Sequence, residues 1–376
     1  MKLAIIGASL GQVALYKKAK ELGHEVVGFA WNKGVLRECL NYADRFYPIS
    51  VVETDRIVDV CRNENVSGVV SNGSELLAEV VAKISTRLHL HGNDPAAIAC
   101  AQDKLRVRRL TKGIADLKRV ECFQYGDAHA RIAYPCVVKP LSGSGKKGVS
   151  LARTPEELSG ALAYAQTLGG NQILVEQYIE EGREVSVESM SYEGRHQVVQ
   201  ITDKVSTGAP HFVEIAHHQP SSISEVSKRK IHSVVPRILD NIGFENGASH
   251  IEFKVTAEDE VALIEVNPRG GGDEISSTLV GLSTDFDYVQ AMIDVALGRF
   301  DFPRDICNVG YAGICFLCQQ TERWVPLFKN AERESWYVKG HIPDQVGQLH
   351  CAKGNGDCDG YFVYRSEAPL RNEFGL

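Results

Sequence analysis

The segment from Ser249 to Asn267 constrains the fold most, because it has the pattern of a β-hairpin. Apolar and polar side chains alternate from His250 to Val255, and a second apolar run extends from Val261 to Asn267. Between them, Glu258-Asp259 offers a two-residue turn. The sequence therefore predicts two antiparallel strands joined by a tight turn.

The register of this hairpin brings two acids together. A turn centred at Glu258-Asp259 places Glu252 directly opposite Glu265, with Asn267 two residues further along on the same face. Facing carboxylates destabilise a sheet unless a cation neutralises them. Two carboxylates and an amide oxygen are suitable ligands for Mg²⁺, although a pair of solvated acids on an exposed face remains the alternative.

An arginine and three glycines follow the second strand, at Pro268 to Gly272. The planar guanidinium of Arg269 can bind an oxyanion, and glycine lets the backbone approach a ligand closely. The segment could also be a simple turn. Beside a metal site, however, Arg269 is a candidate to stabilise charge on a transferring phosphoryl group or a tetrahedral intermediate.

A strand ending in a lysine precedes a glycine-rich loop. Tyr134 to Pro140 carries Lys139 near its end, and the loop from Ser142 to Gly148 supplies glycine, serine and lysine. Such a loop can present N–H groups, hydroxyls and ammonium groups to phosphates. It does not match G-x-x-x-x-G-K-[ST], and most glycine-serine loops are ordinary turns.

A third candidate is the apolar strand Ile173 to Ile179, which leads into the polar segment Glu180 to Glu188. An apolar strand at a polar hinge suits an adenine ring, and Glu184 could bind ribose hydroxyls. The alternative is an ordinary strand, turn and strand.

The N-terminal 95 residues predict a parallel sheet covered by helices. Strands at Leu3–Ile6, Glu25–Ala30 and Gly68–Ser71 alternate with helical periodicity such as that of Gln12–Leu22. The turn after the first strand lacks the full G-x-G-x-x-G, and the second strand ends in Trp31-Asn32 without an acid for a ribose, which disfavours NAD binding.

The remaining segments give a less regular pattern. Helices are predicted at Asp103–Lys112 and Pro155–Leu168, with a strand at Gln172–Tyr178. The pattern of residues 183–300 predicts a second α+β unit, and that of residues 305–376 predicts short strands and loops.

Composition excludes several classes of protein. The chain has 376 residues, 44% of them hydrophobic, and a net charge of −7 without a long basic run, which argues against a nucleic-acid partner. We expect no signal peptide, because the first apolar run stops at Ile6, and no stretch has the ~18 apolar residues of a membrane helix. Ten scattered cysteines are typical of reduced thiols in a cytoplasmic enzyme.

Together, the three candidate sites resemble the ATP-grasp superfamily over roughly residues 1–300. The resemblance implies an α/β and α+β fold: a Rossmann-like pre-ATP-grasp domain at 1–95, a small subdomain at 96–180, a large subdomain at 181–304 and a C-terminal β-rich subdomain at 305–376. It also implies ATP and Mg²⁺ (or Mn²⁺) as cofactors. The implied ATP contacts are Lys104, Lys139, Ser142, Ser144, Gly145, Gly148, Glu176, Gln177, Tyr178, Ile179 and Glu184. The implied metal ligands are Glu252, Glu265 and Asn267, with Arg269 at the reaction intermediate.

Within the superfamily the chain looks most like L-amino acid ligases and carnosine-synthase-like carboxylate–amine ligases. That likeness rests on Pro210 to Pro220 and on Asn267 to Ile275. It implies substrate contacts by Glu214, His217, His218 and Gly271. The alternative for the two histidines is a surface loop. The match is loose beyond residue 305, so the resemblance does not define the acceptor pocket, whose shape depends on Lys204 to Pro220 and on the C-terminal region.

The C-terminal region is dense in cysteine. Cys315 and Cys318 have the spacing of zinc ligands, yet no second C-x₂-C exists and the two side chains would point to opposite faces of a strand. Buried thiols are the favoured interpretation.

The predicted function is ATP-dependent joining of a carboxylate to an amine through an acyl phosphate, with an amino acid as one substrate. One alternative is a bicarbonate-activating ligase resembling biotin carboxylase or a purine-biosynthetic enzyme. Another is an ATP-binding regulatory protein without turnover. The predicted partners are a small-molecule carboxylate and amine, with no nucleic acid and no membrane, and the family likeness suggests a homodimer.

Overall fold

The computed structural model describes residues 1–127, 131–141, 148–209, 211–343, 349–354 and 356–370. These residues form three sheets with helices packed on them. No helix within the described ranges is long and apolar enough to cross a membrane.

The N-terminal sheet is parallel, as predicted, with the strand order β3-β2-β1-β4. Its strands are β1 (Lys2–Ile6), β2 (Glu25–Phe29), β3 (Arg45–Tyr47) and β4 (Gly68–Val70). The helices of this part of the chain are α1 (Leu10–Glu21), α2 (Arg37–Tyr42), α3 (Thr54–Glu64), α4 (Glu75–Leu88), α5 (Pro95–Gln102) and α6 (Lys104–Leu110). Leu3 to Ile6 are fully buried, because helices cover both faces of the sheet.

The turn after β1 is closed by a side chain. Gln12 on α1 accepts hydrogen bonds from the backbone N–H and hydroxyl of Ser9 and donates to the carbonyl of Asn72, which follows β4. The Asn72 amide in turn donates to the hydroxyl of Ser276, far along the chain, at 2.9 Å. The carboxyl edge of this sheet is thus attached to the large subdomain.

The second sheet has four strands in the order β6-β9-β7-β8. The elements of this region are β5 (Leu117–Lys118), β6 (Cys122–Gln124), β7 (Cys136–Pro140), β8 (Ser150–Ala152), α7 (Pro155–Gly169) and β9 (Ile173–Gln177). Strands β7 and β9 are antiparallel, with Val137 opposite Glu176. Because side chains alternate along a strand, Lys139 lies on the same face as Val137 and diagonally across from Glu176.

The third sheet has nine strands in the order β16-β17-β15-β12-β11-β10-β13-β14-β5. Its strands and helices are β10 (Arg183–Tyr192), β11 (Arg195–Ser206), β12 (Glu214–Gln219), α8 (Glu225–Ile242), β13 (Gly247–Val255), β14 (Val261–Asn267), a π-helix (Ile275–Leu279), α9 (Val280–Ser283), α10 (Tyr288–Ala296), β15 (Tyr311–Leu317), a 3₁₀ helix (Gln319–Trp324), α11 (Val325–Asn330), a second 3₁₀ helix (Ala331–Arg333), β16 (Tyr337–His341) and β17 (Gly360–Ser366).

Helix α8 covers one face of this sheet. Its buried residues, such as Ile231, Val235 and Ile238, recur at helical spacing and pack in one cluster with Ile251 and Phe253 of β13. The alternating polar residues of β13 therefore point to the opposite face, which carries the candidate site.

The predicted hairpin is present, and Glu252 pairs with Glu265 as expected. The predicted two-residue turn is wrong. The backbone N–H of Thr256 donates to the carbonyl of Glu260 at 3.0 Å, and Asp259 has a positive φ of 61°, which aspartate tolerates better than most residues. The loop is one residue longer than predicted. A register shift of one residue between Glu252 and Phe253 compensates for it, so Glu252 still pairs with Glu265.

The C-terminal strands β15, β17 and β16 extend the nine-stranded sheet beyond β12. Residues 319–333 are helical, which the sequence analysis does not anticipate. The four domain boundaries stay a prediction, although the strands of the last region share their sheet with the large subdomain.

Candidate functional site

A cleft of 260 Å³ lies between the four-stranded sheet and the open face of the nine-stranded sheet. Most of the residues singled out from the sequence line it: Lys104, Lys139, Glu176, Gln177, Tyr178, Ile179, Glu184, Glu214, Glu252, Glu265, Asn267 and Arg269. Residues Gly148, His217, His218 and Gly271 are not among its lining residues. Ser142, Ser144 and Gly145 lie outside the described residues, so their contact with phosphate stays a prediction.

Two cations converge on one buried carboxylate at the wall formed by the four-stranded sheet. Arg108 donates to Oε2 of Glu176 from Nε at 3.0 Å and from Nη2 at 2.6 Å, and the ammonium of Lys139 contacts Oε1. Burial alone would raise the pKa of Glu176, but Arg108 and Lys139 outweigh it and lower that pKa to about 2. Glu176 therefore holds the ammonium of Lys139 at the cleft.

The segment after Glu176 follows the four-stranded sheet into the hinge. The backbone N–H groups of Gln177 and Tyr178 donate to the carbonyls of Glu121 (2.8 Å) and Pro135 (3.1 Å). The Tyr178 ring lies 6.4 Å from the ring of Phe212, between centroids. This wall offers the apolar and aromatic surface predicted for a flat ring.

The facing acids of β13 and β14 are each held by cations. Lys104 Nζ lies 2.9 Å from Glu265 Oε1, and Oε1 of Glu252 contacts both Lys204 and, at 3.2 Å, His250 Nε2. These contacts explain why the two carboxylates can face each other. With Asn267, the set offers only hard oxygen donors at the cleft, which fits Mg²⁺ or Mn²⁺.

A chain of buried ionisable groups continues behind Glu252. His250 Nδ1 contacts Glu188, and Lys204 Nζ lies 2.9 Å from Glu214 Oε1. Burial lowers the pKa of His250, but Glu188 and Glu252 outweigh burial and raise it. Burial also lowers the pKa of Lys204, but Glu214 and Glu252 outweigh burial and raise that pKa. The neighbouring carboxylates therefore favour the charged forms of His250 and Lys204.

Arg269 is fixed by a residue of the N-terminal region. Its Nε and Nη2 donate to Oε1 of Glu75 at 3.1 and 2.6 Å. Burial lowers the pKa of Arg269, and Glu75, Glu252 and Glu265 outweigh that effect. Because Glu75 is the first residue of α4, the N-terminal domain sets the direction of the guanidinium beside the facing acids.

The two neighbouring histidines lie on strand β12 and are buried, so the surface-loop alternative is wrong. His217 Nε2 lies 3.4 Å from Glu214 Oε2 and 3.7 Å from Asp273 Oδ2, beside the cleft. His218 Nδ1 is instead 2.8 Å from the hydroxyl of Tyr364. Side chains alternate along a strand, so the structure separates the two histidines and keeps only His217 near the cleft.

Gly271 lies behind the cleft. Its backbone N–H donates to Glu188 Oε2 at 2.9 Å, and a Cβ at this position would lie 2.7 Å from His250 Nδ1. Glycine is therefore required for the close approach of the loop to the buried ionisable chain.

Six site residues are missed by the sequence analysis: Glu75, Arg108, Glu188, Lys204, His250 and Asp273. The alternation along β13 already places His250 on the face of Glu252, and the same period on β10 places Glu188 on the face of Glu184. Glu75 and Arg108 have no such signal, because only tertiary packing brings their helices to the cleft.

In the described part of the chain, no group of potential metal ligands contains a cysteine. Among the described residues, one group of three potential metal ligands has its ligand atoms within 4.8 Å of one another. It consists of Glu214, His217 and Asp273. Cys315 and Cys318 are buried and unpaired by any disulfide.

Comparison with known proteins adds family information. Residues 132–278 match the model of the ATP-grasp domain. The chain is 30% identical over 247 residues to the uncharacterized protein y4rH of Sinorhizobium fredii (61% of this chain, 49% of that protein). It is 26% identical over 245 residues to alanine–anticapsin ligase of Bacillus amyloliquefaciens (58% of this chain, 51% of that protein). The chain thus spans about half the length of these two relatives.

Among solved structures, L-amino acid ligase from Bacillus licheniformis aligns with a TM-score of 0.82 at 21% identity, over 99% of this chain and 95% of that one. At this identity the match establishes the fold, which extends over almost the whole chain.

Proposed function

We propose, from the premise that this chain carries an ATP-grasp domain, that it is an ATP-dependent carboxylate–amine ligase acting through an acyl phosphate. One observation carries the proposal. The facing acids Glu252 and Glu265, with Asn267, line the same cleft as Lys139 and the oriented guanidinium of Arg269. A protein that only bound ATP would not require a half-buried arginine fixed beside the proposed metal ligands.

Nucleotide binding would use the wall of the four-stranded sheet and the facing acids. Glu252, Glu265 and Asn267 would hold Mg²⁺, which offsets phosphate charge when bound. Lys104 and Lys139 are each held at the cleft by a carboxylate, so phosphate oxygens would meet ammonium groups already in place. The hinge from Gln177 to Ile179 would take the adenine, and Glu184 the ribose.

The reaction would proceed in two steps. A substrate carboxylate oxygen bonds to the γ-phosphorus of ATP while the bond to the bridging oxygen breaks, which gives an acyl phosphate and ADP. The amine nitrogen then bonds to the acyl carbon, phosphate leaves and the amine loses a proton. Arg269 would stabilise the oxyanion of the tetrahedral intermediate. The loop from Ser142 to Gly148 is our candidate for a flap that excludes water.

The second substrate would lie toward Glu214 and His217. Glu214 lines the cleft and His217 lies beside it, and carboxylate and imidazole groups can bind the polar ends of an amino acid. An amino acid as one substrate is therefore part of the proposal, supported by the likeness to alanine–anticapsin ligase.

The test is ADP release from MgATP with amino acids and small carboxylates supplied singly and in pairs. We expect release only with particular pairs, together with a new amide detected by mass spectrometry. Release with bicarbonate alone would instead assign the chain to bicarbonate-activating ligases. Demonstrable ATP binding without release under any condition would favour the regulatory alternative.

A further inference from the structure

His217 lacks the hydrogen bonds that a buried imidazole needs. Its side chain is fully buried, and within the described residues neither ring nitrogen has a hydrogen-bond partner. Burying a polar group without a partner is costly, so such a group calls for a specific explanation. The ring points at two carboxylates, Glu214 and Asp273.

We propose that Glu214, His217 and Asp273 bind a divalent transition-metal ion, distinct from the Mg²⁺ assigned to the nucleotide. The three ligand atoms all lie within 4.8 Å of one another. Nε2 of His217 is 3.4 Å from Glu214 Oε2 and 3.7 Å from Asp273 Oδ2.

These spacings fit a metal. With metal–ligand bonds of about 2.0–2.2 Å, the ligand atoms of a tetrahedral site are about 3.3–3.6 Å apart. An ammonium group is the other cation that could occupy the position. Hydrogen-bond acceptors lie about 2.7–3.1 Å from an ammonium nitrogen. Two acceptors in tetrahedral directions are therefore about 4.4–5.1 Å apart. The two distances from His217 Nε2, 3.4 and 3.7 Å, lie close to the spacing around a metal ion and are shorter than the spacing around an ammonium.

The charges around the group also favour a cation. Lys204 is 2.9 Å from Oε1 of Glu214, while the Oε2 atom faces His217. Lys204 also contacts Glu252, so one ammonium is shared between two carboxylates. One imidazole nitrogen and two carboxylate oxygens suit Zn²⁺, Co²⁺ or Mn²⁺, whereas Mg²⁺ prefers oxygen alone.

Three protein ligands leave an open coordination position. Glu214 and Asp273 both line the cleft, so that position would be accessible to water or to a polar group of the second substrate. The inference concerns the acceptor side of the cleft and does not depend on ATP turnover.

The test is titration of the metal-stripped protein with Co²⁺ in excess Mg²⁺, which occupies oxygen-only sites. We expect one Co²⁺ per chain, with the intense visible absorption of tetrahedral coordination. His217→Ala should weaken Co²⁺ binding about 100-fold or more, and Asp273→Asn at least about tenfold. Asp273 has a positive φ of 49° that asparagine also tolerates, so this second variant should keep the backbone.

His218→Asn is the matched control, because His218 lies on the opposite face of β12 and contacts Tyr364. It should leave Co²⁺ affinity unchanged, and retained MgATP binding would show that each variant is folded. Failure of the wild type to bind Co²⁺, or equal binding by His217→Ala, would overturn the proposal. Stoichiometric Co²⁺ binding without any ligase activity would uphold the metal site and count only against the proposed function.

Discussion

The two halves of the cleft are built in different ways. We assign the phosphates to the half with Lys104, Lys139, Glu252, Glu265 and Asn267 (the phosphate half) and the second substrate to the half with Glu214, His217 and Asp273 (the acceptor half). In the phosphate half, the candidate residues come from short segments in which neighbours in sequence are also neighbours in space, such as Glu265 to Arg269. Each cation there has a carboxylate partner, as in Lys139 with Glu176 and Lys104 with Glu265. In the acceptor half, Glu214 and His217 on β12 meet Asp273 from a loop after β14.

This difference has a physical consequence. The cations of the phosphate half are already held by carboxylates, so by our proposal they would meet phosphate oxygens in place. In the acceptor half, the His217 imidazole has no hydrogen-bond partner among the described residues, and by our proposal a bound cation completes the arrangement. Substitutions in the first half should therefore affect ATP chemistry and stability, whereas substitutions of His217 or Asp273 in the second half should act mainly on the acceptor side.

The largest expected effect is on turnover. Glu265→Gln removes a charge from the facing acids, and we expect ADP formation to fall about 100- to 1,000-fold, as when a group that stabilises transition-state charge is lost. Steady-state ADP release measures this. Glu258→Gln, in the exposed loop of the same hairpin, is the control and should retain activity. Full activity of Glu265→Gln would contradict the assignment of the phosphate half.

The next largest effect is on stability. Glu176→Gln leaves Arg108 and Lys139 buried without their shared carboxylate, and breaking a buried pair in this way costs about 3–5 kcal/mol. Urea unfolding measures the change. Glu180→Gln removes the exposed partner of Arg153 and should alter stability far less. Equal stability of both variants would show that the phosphate half is not preorganised by this cluster.

The same cluster predicts a pH dependence. The pKa of Glu176 is lowered from 4.5 to about 2, so its stabilisation is complete above the unfolded value and is lost as the pH falls toward the folded value. The stability difference between wild type and Glu176→Gln should shrink by about 3 kcal/mol between these two pH values. Unfolding curves across this range measure it, and a constant difference would contradict the paired arrangement.

A smaller effect is expected where the N-terminal domain meets the cleft. Glu75→Gln weakens the hydrogen bonds that orient Arg269, and we expect kcat to fall about tenfold with the KM for ATP unchanged. Glu79→Gln, one turn further along α4 and paired with Lys83, is the control. If KM for ATP rose and kcat did not change, Glu75 would act on nucleotide binding.

Much of the phosphate half could be predicted from the sequence, because period-two alternation and hairpin pairing are local rules. They place Glu252 opposite Glu265 even though the turn itself is one residue longer than predicted. Glu75 and Arg108 could not be found in this way, since each reaches the cleft through the packing of a helix. The separation of His217 from His218 follows from strand periodicity once β12 is known to be a strand.

The C-terminal region shows the limit of local patterns. Strand β15 is a short apolar run that pairs with β12, about 100 residues earlier along the chain, and β17 pairs in turn with β15. Nothing local indicates that they extend the nine-stranded sheet. The acceptor half rests on this long-range pairing and is therefore the part that the sequence describes least well.

The most direct test of the central claim follows isotopic oxygen from the substrate. Once a productive carboxylate is found in the ADP-release screen, it is supplied with labelled carboxylate oxygens, and the released phosphate is examined by mass spectrometry. An acyl-phosphate reaction predicts one labelled oxygen in each phosphate released during amide formation. Unlabelled phosphate, or release of AMP and pyrophosphate in place of ADP, would contradict the account.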